Sequence, residues 1–141
     1  MFSLKSQKVM WGVPFVAFFV AFLQGITFYL RKEGIGETVC NATGALNLPV
    51  PPFVLIGSAL LVSAFFVWQW LNTEDVFSQC CWLIIIASGM SNLWERITFG
   101  CVNDYIILPA LAVYNAADLF LTLGVAALLW RWYGRIRNPQ E

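Results

Sequence analysis

The sequence predicts an all-α polytopic membrane protein: four transmembrane helices, a small extracytoplasmic loop region and both termini on the cytoplasmic side. Three observations predict it. Of 141 residues, 60% are hydrophobic and only 11% charged, whereas a soluble domain carries about 25% charged residues. A water-soluble chain this short buries too little surface to hide so much apolar area, so lipid must cover it. Four stretches also approach the roughly 20 apolar residues that a helix needs to cross a bilayer core of about 30 Å. Finally, Tyr29, Trp68, Trp70, Trp94, Trp130, Trp132 and Tyr133 fall near the ends of those stretches, as interfacial aromatic belts do.

The first stretch runs from about Val9 to Leu30, behind Lys5 and Lys8. It is too long for the apolar region of a secretory signal and no small-residue cleavage site follows, so it reads as a retained helix. The second covers about Pro52 to Leu71, with Pro51 and Pro52 at its start, where a missing N–H matters least. The third and shortest covers about Gln79 to Trp94, and the fourth about Val113 to Tyr133. In lipid every backbone polar group must be satisfied internally, so each is read as a helix. Residues 1–141 then form a single membrane domain with outer loops at 31–51 and 95–112. Lys5, Lys8, Arg131, Arg135 and Arg137 fall on one side, against Arg31, Lys32 and Arg96 on the other; the excess of cations marks the cytoplasmic side.

Composition also excludes functions. Net charge is zero, which gives no basic field for nucleic acid. There is no histidine, so Ser-His-Asp triads and most zinc sites are ruled out. No metal or organic cofactor is implied, and no obligate protein partner is evident. Acid–base work would fall to carboxylates, Lys, Tyr or Cys. Cys40, Cys80, Cys81 and Cys101 form no C-x-x-C pair. Cys40 and Cys101 fall on the outer side, where a disulfide can form, but nothing in the sequence fixes their separation. Cys80 and Cys81 read as apolar helix residues.

Polar residues at membrane depth are costly and therefore informative. The first two spans carry few, chiefly Gln24, Thr27 and Gln69. They concentrate instead between Ser91 and Asp118. Asn92, Glu95 and Arg96 share one helical face, as do Asn115, Asp118 and Thr122. Asp118 precedes an apolar run entering the bilayer, and Asp104 lies in the short loop that returns to the same surface. Two close aspartates cannot both ionise cheaply and share a proton. The ionised one can activate water while the protonated one polarises a carbonyl and later protonates a leaving nitrogen. That is peptide hydrolysis without histidine or metal. The plainer reading is that Asn115 and Asp118 cap the fourth helix. Glu95 and Arg96 read equally as an interfacial ion pair with a snorkelling Arg, and Asn92 as a hydrogen-bonded link between helices.

These residues resemble the bacterial lipoprotein signal peptidase (signal peptidase II) family. That family's third-helix block, G-N-x-x-D-R-x-x-x-G-x-V-x-D, is matched by Ser91-Asn92-Leu93-Trp94-Glu95-Arg96-Ile97-Thr98-Phe99-Gly100-Cys101-Val102-Asn103-Asp104. Its fourth-helix block, F-N-x-A-D-x-x-I-x-x-G, is matched by Tyr114-Asn115-Ala116-Ala117-Asp118-Leu119-Phe120-Leu121-Thr122-Leu123-Gly124. An N-x-G-A block is echoed by Asn41-Ala42-Thr43-Gly44-Ala45 with one extra residue. Glu95 stands where the family has Asp and Ser91 where it has Gly. The segment from Asp104 to Asn115 is short and lacks the family's tryptophan.

The resemblance implies an aspartyl endopeptidase of the bacterial cytoplasmic (inner) membrane, its site facing the periplasm or outside. It implies Asp104 and Asp118 as the catalytic pair, with Asn41, Gly44, Asn92, Arg96 and Asn115 holding substrate or steadying the dyad. Its partners would be membrane lipid and lipid-modified prolipoprotein signal peptides, cut just before the diacylglyceryl-bearing cysteine. Two other classes stay open at this point. One is a non-catalytic small membrane protein, either a degenerate paralogue or a binder of lipidated signal peptides. The other is a membrane thiol-redox protein using Cys40 and Cys101.

Overall fold

A computed structural model describes residues 4–34, 38–43, 50–108 and 112–137. In chain order it contains α1 (Leu4–Glu33), β1 (Val39–Asn41), α2 (Pro52–Asn72), α3 (Val76–Phe99), β2 (Val102–Asp104), β3 (Ile106–Leu108), β4 (Ala112–Tyr114) and α4 (Ala116–Arg137). The chain is mostly helical. Among the described residues, three helices are long and apolar enough to cross a membrane: Gln7–Glu33, Pro52–Asn72 and Val76–Phe99. The fourth, 22 residues long, is less apolar because it carries Asp118, Arg131, Arg135 and Arg137.

α3 is the axis of the bundle, and α1, α2 and α4 all pack on it. Its Cys81, Ile85, Ile86, Ala87, Ser88 and Leu93 are buried. Side chains facing away from α3 remain bare. Phe53 and Leu61 are each 75% exposed and Trp11 74%, an apolar surface that suits lipid and not water. α1 and α2 touch each other little, leaving an apolar groove of about 480 Å³ between them, lined by Val16, Val20, Val67, Met90 and Leu93 among others. Trp70, grouped above with the interfacial aromatics, instead turns inward against α1 and is 6% exposed.

The two ends of the bundle differ in chemistry. At one end Lys8 Nζ donates to the carbonyls of Leu71 (3.4 Å) and Thr73 (2.6 Å). There too Arg131 and Arg135 reach Asp75 at 3.1 and 3.4 Å. Asp75 caps α3 by accepting from the Ser78 amide at 3.0 Å and from its hydroxyl. Those Ser78 bonds, followed by Arg131, hold the Asp75 carboxyl down to about 2. The starts of α1 and α3 and the ends of α2 and α4 therefore meet here.

The opposite end carries two small antiparallel ribbons. β1 pairs with β2, Cys40 opposite Asn103, and β3 pairs with β4, Ile107 opposite Val113. The segment read as a plain outer loop, 95–112, thus holds the last turn of α3, all of β2 and β3, and the first residue of β4. α3 continues past Trp94 because Glu95 finds buried donors there. It stops at Gly100, whose φ of 75° is the left-handed conformation a helix C-cap favours. Val102, Ile106, Ile107 and Val113 suit the strands that follow. α4 starts at Ala116, after β4, since Asn115 is its cap.

A disulfide joins Cys40 to Cys101, with Cα atoms 5.5 Å apart and a sequence separation of 61. It staples β1 to the turn between α3 and β2. Cys80 and Cys81 are free, as the apolar-helix reading expects. On α4, Gly124 packs tightly against α3: a Cβ there would sit 2.7 Å from Ile85 Cγ1.

Two outcomes are expected. Cys40→Ser/Cys101→Ser should lower stability by about 2–4 kcal/mol, read as a lower thermal midpoint of the detergent-solubilised protein, and dithiothreitol should mimic it. An unchanged midpoint would mean the staple is idle. Gly124→Val should destabilise by about 1–3 kcal/mol through overpacking of the α3–α4 seam, measured in the same assay.

Candidate active site

Four elements deliver the polar cluster to the ribbon end of the bundle. Asp104 ends β2, Asn92 sits on α3, and Asn115 and Asp118 open α4. Asn41 arrives on β1. In the β1–β2 register Asn41 lies opposite Val102, so Asp104 is its diagonal neighbour on the same face.

Asn115 is the hub. Its Nδ2 donates to Asp104 Oδ1 at 3.1 Å and to Asn92 Oδ1 at 3.0 Å. Asn92 Nδ2 in turn donates to Asp118 Oδ1 at 2.8 Å. An unbroken chain therefore runs Asp104–Asn115–Asn92–Asp118. The other oxygen of Asp104 accepts from Asn41 Nδ2 at 3.0 Å. Asn115 and Asp118 also cap α4 reciprocally: the Asp118 amide donates to Asn115 Oδ1 at 2.9 Å, and the Asn115 amide to Asp118 Oδ2 at 3.3 Å. The capping reading and the clustered-carboxylate reading thus describe the same atoms. Asn92 likewise links two helices while facing the cluster.

The electrostatics are lopsided. Asp104 is 2% exposed and Asn115 3%, while Asp118 is only partly buried. Burial is the main cause that pushes the Asp104 carboxyl above its ordinary range. The charges of Asp118 and Glu95 push the same way, against the bonds from Asn41 and Asn115. Asp104 thus holds its proton more tightly than an ordinary aspartate does.

The remaining expected residues are placed differently. Arg96 does not pair with Glu95. Its Nη1 donates to the Thr43 carbonyl at 3.0 Å, so it ties α3 to the chain just after β1. Glu95 is 2% exposed, and turns inward to Asn103 and Gln24 because those N–H groups satisfy it where a snorkelling Arg would not. Gly44 lies outside the described residues. Among those residues, no group of three or more His, Cys, Asp and Glu side chains is placed to hold a metal ion.

Several contributors were not assigned to the site from sequence. Gln24 donates to Ser91 Oγ at 2.9 Å and to its carbonyl at 3.2 Å. Its sequence signal was being the polar residue deepest in the first span. Tyr105 Oη accepts the Ala116 amide at 3.1 Å, a second anchor for the start of α4; nothing in the local pattern marks it. Asn103, beside Asp104, is buried at 7% exposed.

Comparison with known proteins places this geometry in context. The profile of a family described as signal peptidase (SPase) II matches residues 1–133. The chain is 37% identical over 132 residues to a protein named lipoprotein signal peptidase from Sinorhizobium fredii (strain NBRC 101917 / NGR234), covering 89% of this chain and 70% of that one. It is 39% identical over 109 residues to a protein of the same name from Bartonella quintana (strain Toulouse), covering 72% and 61%. The chain therefore spans about three fifths to seven tenths of the length of these relatives.

In fold it is similar to a bacterial membrane enzyme solved by the in meso method at 2.3 Å resolution, with a TM-score of 0.78, 19% identity and 92% of each chain covered. A second such structure, at 1.9 Å, gives a TM-score of 0.73 at 18% identity, covering 86% of this chain and 91% of that one. At these identities the likeness shows the fold, and with the exposed apolar helices it makes this a membrane protein. The match along nearly the whole chain, together with the relatives' identity, decides the family: this protein belongs to the signal peptidase II family.

Proposed function

We propose that the chain is a membrane aspartyl endopeptidase that removes signal peptides from diacylglyceryl-modified prolipoproteins at the outer face of the bacterial cytoplasmic membrane. The observation that carries this reading is the continuous hydrogen-bonded chain linking Asp104 to Asp118 through Asn115 and Asn92. The non-catalytic and thiol-redox alternatives gain nothing from the family relationship, and the disulfide occupies the position of a staple behind Asn41.

The same reading gives four spans with both termini cytoplasmic. α4 has 22 residues, about 33 Å at 1.5 Å per residue, enough for a core of about 30 Å. Lys8, Arg131 and Arg135 gather at the end remote from the dyad, where positive residues favour the cytoplasm. The disulfide lies at the dyad's end, which suits an oxidising exterior. A signal helix and a lipidated cysteine both travel in the bilayer, so the scissile bond would arrive at this level.

In the reaction, Asp118 draws a proton from a water whose oxygen attacks the scissile carbonyl carbon. Asp104, holding its proton, donates to the developing oxyanion. On collapse the C–N bond breaks, the leaving nitrogen takes the proton that Asp118 drew from water, and the diol hydroxyl returns its proton to Asp104, so the dyad is back in its starting state. Asn115 and Asn92 hold the two carboxyls in register, and Asn41 fixes the outer oxygen of Asp104. Arg96 steadies the segment after β1, and the family resemblance gives Arg96 and Gly44 to substrate contacts.

Purified protein should release the signal peptide from a diacylglyceryl precursor on a gel. Asp104→Asn and Asp118→Asn should each slow release by roughly 10²–10⁴-fold while still inserting. An intact precursor with the unmutated protein would favour a binder, and full activity in either Asp variant would end the aspartyl reading. The pH dependence carries a sign: cleavage needs the Asp104 proton, and burial raises that group above its ordinary 3.8. The basic limb of the rate profile should therefore lie above the ordinary carboxylate range of about 3.9, with activity lost as pH rises through it. A basic limb at or below that value would contradict the assignment of the proton.

A further inference from the structure

Behind the dyad lies a buried carboxylate that the mechanism above does not use. Glu95 is 2% exposed, and among the described residues no Lys or Arg lies within ion-pair distance of it; the ion pairs there are those of Asp75. A charge taken from water without a cation survives only if hydrogen-bond donors replace the lost solvent. Here three do. Glu95 Oε2 accepts from the Asn103 main-chain N–H at 2.7 Å and from Asn103 Nδ2 at 2.9 Å, and Oε1 accepts from Gln24 Nε2 at 3.3 Å. Gln24 is fixed by its further bonds to Ser91. One carboxylate thus ties α1, α3 and β2 together.

The residue after Asn103 is Asp104, so the bond to the Asn103 amide sits one peptide away from the reacting group. In the β1–β2 register Asn103 lies opposite Cys40. β2 is therefore held from one side by the disulfide-stapled β1 and from the other by Glu95. We infer that Glu95 is a positioning residue for the dyad, its carboxylate locking the Asn103 peptide so that Asp104 meets Asn115 and Asn41. This rests on the peptidase reading.

Glu95 also acts on Asp104 through space. The charged groups facing Asp104 are Asp118 from α4 and Glu95 from α3, while β1 and the start of α4 present the neutral Asn41 and Asn115. Among the described residues, the groups facing Glu95 are the neutral Gln24 and Asn103, besides Asp104 itself. Taking away the Glu95 charge therefore loosens the proton on Asp104 and moves the basic limb of the pH profile to lower pH.

The test compares wild type, Glu95→Gln and Glu95→Asp on the diacylglyceryl precursor, with amide hydrogen exchange at Asn103 and Asp104 read without substrate. Glu95→Gln trades charge-assisted bonds for neutral ones. It should lower kcat about tenfold or more with apparent KM unchanged, shift the basic limb downward, and raise exchange at both amides. Glu95→Asp keeps the charge but is one methylene shorter; it should restore the limb and recover only part of kcat. Wild-type kcat and an unshifted limb in Glu95→Gln would overturn the inference. So would a loss of activity that tracks a lower unfolding midpoint with neither limb nor exchange altered. If wild type itself does not cleave, the peptidase reading fails on its own. Unchanged exchange in Glu95→Gln would then sink the Glu95 anchor too, and faster exchange would uphold it.

Discussion

The site depends on one constraint: a carboxyl group buried at 2% exposure must find donors, and Asp104 finds them in two asparagine amides. Neutral donors satisfy its oxygens without supplying a positive charge, so burial and the nearby carboxylates still favour the protonated form. A lysine or arginine in place of Asn115 would ionise Asp104 outright. The choice of asparagine is what leaves a proton available at this depth. The same amide reaches Asn92, which holds Asp118, so the group that spares the proton on one carboxyl also helps orient the other.

The remainder of the molecule reads as support for that contact. α3 contributes Asn92 toward α4 and Glu95 toward α1 and β2, which requires it to run on to Phe99 before Gly100 ends it. The close approach at Gly124 brings α4 onto α3, and the Asn115 cap and the Tyr105 hydroxyl fix where α4 begins. The disulfide holds β1, and with it Asn41, against β2. At the far end, Lys8 and the Asp75–arginine cluster bind the helix ends together, while the ribbon end holds the Asp104–Asp118 cluster.

Much of this was legible in the sequence. The long apolar stretches announced helices, because nothing else satisfies the backbone in lipid. Asp118 stood out as a carboxylate just before an apolar run, where charge is costly, and Asp104 as one in the short loop returning to the same surface. Asn92 and Asn115 were marked by their spacing from neighbouring polar residues on one helical face. Other features were hidden. The pairing of β1 with β2 joins residues about sixty positions apart, and short strands carry no periodic signal long enough to show it. Glu95 and Arg96 are adjacent and oppositely charged, which suggests a pair; consecutive helix positions point apart, so they find separate partners. Gln24 could not be linked to Ser91 without knowing which helix faces which, and Gly44 has no described position to compare.

The central claim is that Asp104 keeps its proton at a pH where ordinary aspartates hold none. Infrared difference spectroscopy of the membrane-reconstituted protein, titrated through the carboxylate range and beyond, observes that proton directly. A protonated-carboxyl C=O band should persist above the range of free aspartate, vanish in Asp104→Asn, and be perturbed when Asn115 is replaced by Ala. A spectrum in which every carboxyl is ionised just above the ordinary aspartate range, in both wild type and variant, would contradict it.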